Sequence, residues 1–457
     1  MTCSSLADLL ERAHHQSAQP IQLGLDRVMA ALTEMDNPQH NLNVVHVAGT
    51  NGKGSVLAFL EAMLRQAGCA VGLYTSPHLH RINERIRING RAIPDDALGL
   101  WLERVLQVSA GRSLTFFELL TVVALCHFRD QGLGRNNTGR QGMVLLETGL
   151  GGRLDATNVV LPQLSIITHI AIDHTDYLGS TLTAIATEKA GIFKPAVPAV
   201  AAAGHPEVEA LLLRQARRVG TPLRLLGRDF TIHTPASATF TDRPSSTRWP
   251  ITTWEYAEGG ESRELPMPGL SGRHQLQNAA LAVAGIRRLQ EAGWPAGWEA
   301  VAAGLREARW PGRLERLPGP DANAAGPTIL LDGAHNPAGC AVLADFLRDV
   351  DRQIQPTVVV FAALQDKQVE AMIHLLAPYA ARVWTTQVGG ERGRTAESLA
   401  ACWRATGRPA TPCATPAQAL AAAYAACPAT GQVLVCGSLY LVGAIRALLC
   451  PDTETVS

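Results

Sequence analysis

From Asn43 onward, short apolar runs alternate with longer amphipathic stretches. "NVVHVAG" (43–49) is a β-rich run closed by glycine, and Val56 to Gln66 carries apolar residues at helical spacing until Gly68 stops it. "AVGLYTS" (70–76) predicts the next strand. A helix over Phe116 to Asp130 follows, then strands in "GMVLLETG" (142–149) and "LSIITHIAID" (164–173), a helix from Ala184 to Ala190 and a strand in "AVPAVAAAG" (196–204). These strands alternate little between apolar and polar positions, as strands do when helices cover both faces of a parallel sheet. Residues 228–268 differ, with short Thr-rich runs, Pro and Gly punctuation and no helical period, and predict a small antiparallel addition. Two helices follow at 275–292 and 295–308. "RWPGRLERLPGPDANAAGP" (309–327) then suspends all periodicity, and a fresh alternation begins with strands in "TILLD", "TVVVFAAL", "ARVWTT" and "QVLVCGS". The expected organisation is therefore a first domain over 1–308, a hinge over 309–326 and a second α/β domain over 327–457. "QGLGRNNTGRQG" (131–142) reads as a flexible insertion.

Composition narrows the class. A chain of 457 residues exceeds one ordinary core, and 47% hydrophobic with 18% charged residues fits a globular protein. Lys plus Arg and Asp plus Glu both number 40, so no global basic field exists to hold nucleic acid or a membrane surface. Apolar runs fall short of the roughly 20 residues that span a bilayer, and the amphipathic N-terminus lacks an export signal. Nine scattered cysteines, without a Cys-x-x-Cys pair, predict reduced thiols in the cytoplasm and no zinc or disulfide framework.

Candidate chemistry gathers at the predicted strand ends, where parallel sheets bind ligands. "HVAGTNGKGSV" (46–56) leads from a strand into a helix, with Thr50, Asn51, Gly52, Lys53, Gly54 and Ser55 in the turn. Backbone N–H groups and the helix dipole there would attract an anion. Against the usual phosphate loop, Val47 replaces the early glycine and Gly54 separates Lys53 from Ser55, so a purely structural turn remains an equal reading. In "ETGLGGRLDATN" (147–158), Glu147 closes an apolar strand before a glycine-rich turn. Buried carboxylates need a partner, which is either a cation site or a capping pair with Arg153. "IDHTDYLG" places Asp173, His174 and Asp176 after another strand; beside a phosphate loop a magnesium role arises, with histidine the poorer ligand by hardness. Lys189 in "TEKAGIFKP" reads as a snorkelling lysine beside Glu188. Asn278 in "SGRHQLQNA" either meets an adenine or caps a helix. Arg81, Arg85, Arg87 and Arg91 form either an acid-binding group or a solvated face. The charged residues of the second domain follow no pattern that singles any out.

"GTNGKGS", "TSPHL", "LTFFE", "ETGLGGRLDATN", "IDHTDYLG", "EKAGIF", "GRHQLQNA", "PGRLE" and "LDGAHNP", in that order, resemble the folylpolyglutamate synthases, and among them the bacterial bifunctional dihydrofolate synthase/folylpolyglutamate synthase type, relatives of the Mur ligases. The resemblance runs from about Leu23 to Leu448, and the irregular phosphate loop is a family trait. It implies a Mur-ligase-like P-loop ATPase domain, its mostly parallel sheet carrying a small antiparallel part, and a Rossmann-like C-terminal α/β domain. It also implies an ATP-dependent amide ligase: ATP phosphorylates a substrate carboxylate, and the amine of L-glutamate displaces phosphate. The substrates would be dihydropteroate and tetrahydrofolate. Residues 50–55 would grip the triphosphate, with Asn278, Arg313 and Asp332 as further nucleotide contacts. Ser76 and Glu147 would hold one magnesium ion, His174 and Glu147 a second, and Lys189 would carry a carbamate. Thr115, Phe116, Phe117, Glu118, Leu154, Asp155 and Ala156 would form the pterin pocket, with the segment from Leu10 to Ala13 nearby. His335, Asn336 and Ser438 would complete the site from the second domain, in a chain expected to act as a monomer. Three other readings compete: a Mur-type ligase for a sugar-nucleotide peptide, whose extra N-terminal domain is missing; a nucleotide-dependent switch, which leaves Glu147 and "LDGAHNP" unexplained; and a monofunctional folate extender.

Overall fold

The computed structural model describes residues 5–16, 23–109, 113–134, 142–234, 253–319, 326–350 and 356–451. Most of the 131–142 insertion, part of the 228–268 addition, residues 320–325 of the expected hinge and Cys3 lie outside them.

Eight strands form the first sheet, in the spatial order Arg91–Ala92, Ile86–Ile88, Ala70–Tyr74, Gly142–Glu147, Val44–Ala48, Leu164–Ile167, Ala199–Ala201 and Leu223–Leu225. The first two make an antiparallel hairpin at one edge and the other six run parallel. Val44–Ala48 lies in the middle and is buried throughout, which accounts for its lack of alternation. It leads through the glycine loop into the helix Lys53–Gln66, which begins three residues earlier than its apolar period predicts. That helix is apolar nearly all round because both sides are covered. One side packs on the sheet; on the other, Gly304 of the helix Trp298–Glu307 comes so close that a Cβ would stand 2.5 Å from the Met63 backbone nitrogen.

Phe116–Asp130 forms as expected, started by a reciprocal cap: Thr115 Oγ1 accepts from the Glu118 N–H, and Glu118 accepts from the Thr115 N–H. The 228–268 addition appears as a three-stranded antiparallel sheet, Phe230–His233, Thr253–Glu258 and Glu261–Pro266.

The second sheet has the order Glu315–Leu317, Thr328–Leu331, Gln432–Cys436, Thr357–Phe361, Ala380–Thr385 and Ala410–Pro412. All pairings are parallel except that of Glu315–Leu317, a strand lying within the residues expected to be only a hinge. The loops after Leu331, Phe361 and Cys436 leave the carboxyl ends of this sheet. They approach the loops after Ala48, Glu147 and Ile167 of the first, so the ligand-binding ends of two α/β sheets face one another.

Candidate active site

A cleft of about 2030 Å³ opens between the two sheets. Its walls include residues 50–55, Ser76, 115–118, Glu147, 154–156, His174, Lys189, Asn278, Arg313, Asp332, His335 and Ser438. Residues scattered over the whole chain thus reach one space. Leu10 also lines it, while Asn336 lies behind His335 and is 1% exposed.

The glycine loop is rigidly backed. Gly49 has φ 156° and faces Thr168 so closely that a Cβ would overlap its hydroxyl. Gly52, at φ 91°, leaves no room for a Cβ before Asn278. Asn278 donates to Gln275, whose amide reaches the Ser55 hydroxyl at 3.3 Å, so Asn278 and Ser55 belong to a polar layer supporting the loop. The Thr50 hydroxyl donates to the Ala171 carbonyl and accepts from the Ala171 N–H, tying this loop to the one after Ile167. Lys53 remains at the mouth: Nζ lies 3.1 Å from the Gly49 carbonyl, 3.3 Å from that of Thr50 and 3.8 Å from the Glu147 carboxylate. A charge-assisted contact of this kind is worth about 2 kcal/mol. Lys53→Ala is therefore expected to weaken ATP binding about thirtyfold in titration calorimetry. An unchanged affinity would remove Lys53 from the nucleotide site.

Register puts Glu147 opposite Val47, directly beside the loop. The residue is 6% exposed; Oε2 accepts the Ser76 N–H at 3.0 Å, while Oε1 faces the Lys53 ammonium at 3.8 Å. Burial pushes its pKa up, and Lys53 and the Ser76 N–H pull it back. The expected alternative, a Glu147–Arg153 cap, is not what forms: Arg153 pairs with Glu188 at 2.9 Å. A buried carboxylate facing the cleft, with its one ammonium at the long distance of 3.8 Å, fits a divalent ion. Among the described residues no group of three or more His, Cys, Asp and Glu could cage a metal. Such a sparse set suits magnesium, which takes most of its oxygens from phosphate and water. His174 stands across the mouth in the left-handed region, φ 52°.

Lys189 does not snorkel. It is 4% exposed and donates to the Gly49 carbonyl at 2.9 Å. Burial first, then the Lys53 charge, lowers its pKa to about 7, so a large fraction is a neutral amine near physiological pH. That is the state that can add carbon dioxide to form a carbamate.

Among the residues expected to hold a pterin, Phe116, Phe117, Leu154 and Ala156 give one part of the cleft an apolar wall. Phe116 packs on His14 with ring centroids 4.1 Å apart, and the Phe117 ring fills the space a Cβ on Gly149 would need. Thr115 and Glu118 are largely engaged by their own helix cap, and Glu118 also takes Arg27 at 2.8 Å. Asp155 accepts from the Leu150 and Thr157 N–H groups and from the Thr157 hydroxyl. The Thr157 oxygen in turn faces His46 Nε2 at 2.8 Å. With the hydroxyl proton directed to Asp155, His46 must carry its proton on Nε2, leaving Nδ1 buried without a partner.

Burial, then the Lys194 charge, holds His46 down to about 3, whereas in the unfolded chain it titrates near 6.5. Between these values the unfolded state binds more protons. The stability is therefore fully present above 6.5 and is lost as the pH falls, at roughly 1.4 kcal/mol per unit for this group. His46→Gln should flatten the pH dependence of urea unfolding between about pH 6 and pH 4. A slope identical to that of the parent chain would contradict native-state neutrality.

From the second domain, Asp332 accepts from the Leu314 and Ala334 N–H groups, and Arg313 donates to the Gly312 carbonyl. Ser438 caps the helix Leu439–Leu449. His335 Nδ1 binds the Gly333 carbonyl at 2.7 Å, and burial holds its pKa down to about 4. The four arginines separate: Arg85 lines the cleft, Arg87 pairs with buried Glu61 and stacks on Trp310, Arg81 pairs with Asp95 at the surface, and Arg91 is exposed. Lys367 and Gln365 reach the cleft with no signal in the sequence, since their loop carries no motif and only the fold brings it here.

The Mur ligase, glutamate ligase domain family matches residues 312–439. An Escherichia coli protein named dihydrofolate synthase/folylpolyglutamate synthase is 32% identical over 98% of this chain and 96% of its own length. A Halobacterium salinarum protein named probable bifunctional folylpolyglutamate synthase/dihydropteroate synthase is 35% identical over 93% of this chain, which spans only 49% of that relative. Among solved structures, Escherichia coli FolC in complex with DHPP and ADP superposes with a TM-score of 0.85 at 30% identity, covering 98% of both chains. A bifunctional folylpolyglutamate synthase/dihydrofolate synthase with Mn, AMPPNP and L-glutamate bound gives 0.82 at 30% identity and the same coverage. With its two facing α/β sheets and one shared cleft, this chain belongs to the dihydrofolate synthase/folylpolyglutamate synthase family of Mur-type ligases.

Proposed function

We propose that the protein is an ATP-dependent amide ligase that joins L-glutamate to dihydropteroate, forming dihydrofolate, and to the γ-carboxyl of tetrahydrofolates. One observation carries this reading: a single cleft holds a phosphate-loop lysine, a buried carboxylate 3.8 Å from it and an apolar wall, and the glutamate ligase domain closes its far side. The ligands in the related structures, ADP, DHPP and L-glutamate, are the chemistry such a cleft would accept.

In this reading the N-terminus of Lys53–Gln66 and Lys53 take the triphosphate, and the wall of Phe116 and Phe117, with Asp155, orients the pteroyl acid so that its carboxylate meets the terminal phosphate. The carboxylate oxygen attacks that phosphorus, ADP leaves, and an acyl phosphate results. The amine of glutamate then displaces inorganic phosphate. Glu147 with Ser76, and Glu147 with His174, would hold magnesium, which supplies positive charge where two anions meet. Arg313 and His335 close the site from the second domain and help exclude water, which would otherwise hydrolyse the acyl phosphate. The protein works as a monomer in the cytoplasm; the eight described cysteines are all free thiols, in keeping with a reducing compartment.

Purified protein offered dihydropteroate or tetrahydrofolate, with ATP, magnesium and glutamate, should give both glutamylated products by mass spectrometry. Product from tetrahydrofolate alone would restrict the activity to chain extension, and no glutamylated product would reject the ligase reading.

A further inference from the structure

Asp173 carries no role in the ligase reading, yet its carboxylate joins the two domains. It lies in the loop after Leu164–Ile167 and is 9% exposed. Its own loop supplies the His174 N–H, which donates to Oδ1 at 2.9 Å. The His174 ring Nε2 also stands 4.0 Å from Oδ2. The remaining partners come from the second domain. Lys367 Nζ donates to Oδ1 at 2.8 Å, Asn336 Nδ2 donates to Oδ2 at 2.9 Å, and His335 Nε2 stands 3.9 Å from Oδ2. Asn336 continues the chain to the glycine loop, exchanging hydrogen bonds with the Asn51 amide at 3.1 Å in both directions. The asparagine is itself fixed, because its Oδ1 also accepts the Gly339 N–H at 2.8 Å.

Two physical features set this group apart from an ordinary surface pair. The Lys367 and Asp173 side chains are 6% and 8% exposed, so each charge is desolvated by the domain that carries the other. Lys367 also has Asp366 of its own domain at 3.3 Å, but that carboxylate is half exposed, and the buried contact is the one with Asp173. The hydrogen bonds are also directional and run without a break from Lys367 through Asp173 and Asn336 to Asn51. A tilt of one domain would break several together. The same loop carries Asp173 and the cleft-lining His174, and the same turn carries Asn336 and His335.

We propose that Asp173 is a positioning residue: it gathers Lys367 and Asn336 of the second domain and so sets that domain in register on the phosphate loop, the arrangement in which the reacting groups meet. This rests on the ligase reading for its effect on turnover, but not for its effect on domain contact. Nucleotide, held chiefly by the glycine loop with Arg313 and Asp332 as lesser contacts, should depend on it only weakly, whereas the later attack by glutamate, which needs the second domain in place, should depend on it strongly.

Asp173→Asn and Lys367→Met test the idea separately and together. Hydrogen exchange on the full chain without ligands should show amides of residues 49–54 and 333–340 exchanging about tenfold faster in each variant, with strands Val44–Ala48 and Thr357–Phe361 unaltered. ADP affinity should stay within about threefold of the parent, while kcat falls about thirtyfold and the KM for glutamate rises. The double variant should be no slower than the worse single one, because both remove the same contact. Unchanged exchange at the facing loops, or losses that multiply in the double variant, would overturn the proposal. If Asp173→Asn does not fold, Lys367→Met decides it through the same exchange measurement. If the parent chain glutamylates no pteroyl acid, the ligase reading fails, and the exchange result still accepts or rejects the register.

Discussion

Glu147→Gln is expected to lower ATP- and glutamate-dependent phosphate release about a thousandfold, with urea unfolding within about 1 kcal/mol of the parent. The substitution keeps the shape of the side chain and an oxygen for the Ser76 N–H at 3.0 Å. It removes the negative charge that faces Lys53 across 3.8 Å and would hold a divalent ion at the end of its strand. Burial already works against that charge, so its loss costs the fold little. The chemistry has little to replace it, because among the described residues no group of three or more His, Cys, Asp and Glu could hold a metal in its place. Near-normal turnover would place the cation elsewhere.

The second large effect is expected at Lys189. Lys189→Ala should lose at least about two orders of magnitude in turnover and recover part of it with millimolar short carboxylic acids. The lysine is buried beside the Gly49 carbonyl, and its lowered pKa, about 7, supplies the neutral amine that carbamate formation requires. A carbamate would place an anion under the phosphate loop, next to Lys53. A small carboxylate entering the space left by the truncated side chain supplies the same charge. Full activity without added acid would dismiss the carbamate. Inactivity with no rescue by any acid would leave Lys189 as a support for the glycine loop.

Much of this architecture is legible in the chain because burial on both faces removes alternation, and glycine marks where each strand ends. The strands Val44–Ala48 and Gly142–Glu147 follow from that logic alone, and the helix Phe116–Asp130 from its length and its Thr115–Glu118 cap. What escapes is short or non-local. The hairpin Ile86–Ile88 and Arg91–Ala92 is too brief to show a period, and Glu315–Leu317 hides among prolines and glycines that read as a hinge. In the site, the glycine loop and Glu147 stand out because each breaks a local rule. Lys189 does not, since a lysine near an apolar helix end ordinarily snorkels; only the fold reveals that it is enclosed, and the family resemblance alone pointed to its chemistry. The second-domain donors to Asp173, Asn336 and Lys367, are 163 and 194 positions away, beyond any pattern along the chain. Arg81 and Arg85 stand at the two ends of the short helical turn Ile82–Arg85, which sends one to Asp95 at the surface and the other to the cleft.

The central claim is that this cleft activates a pteroyl carboxylate by phosphorylation before glutamate attacks. The most direct measurement uses dihydropteroate labelled with oxygen-18 in its carboxyl group, turned over with ATP, magnesium and glutamate. Mass analysis of the released phosphate should find one labelled oxygen per glutamate added, because the carboxyl oxygen that attacked phosphorus leaves with it. Unlabelled phosphate accompanying dihydrofolate would mean that the amide forms by another route, and the assignment of this cleft would be wrong.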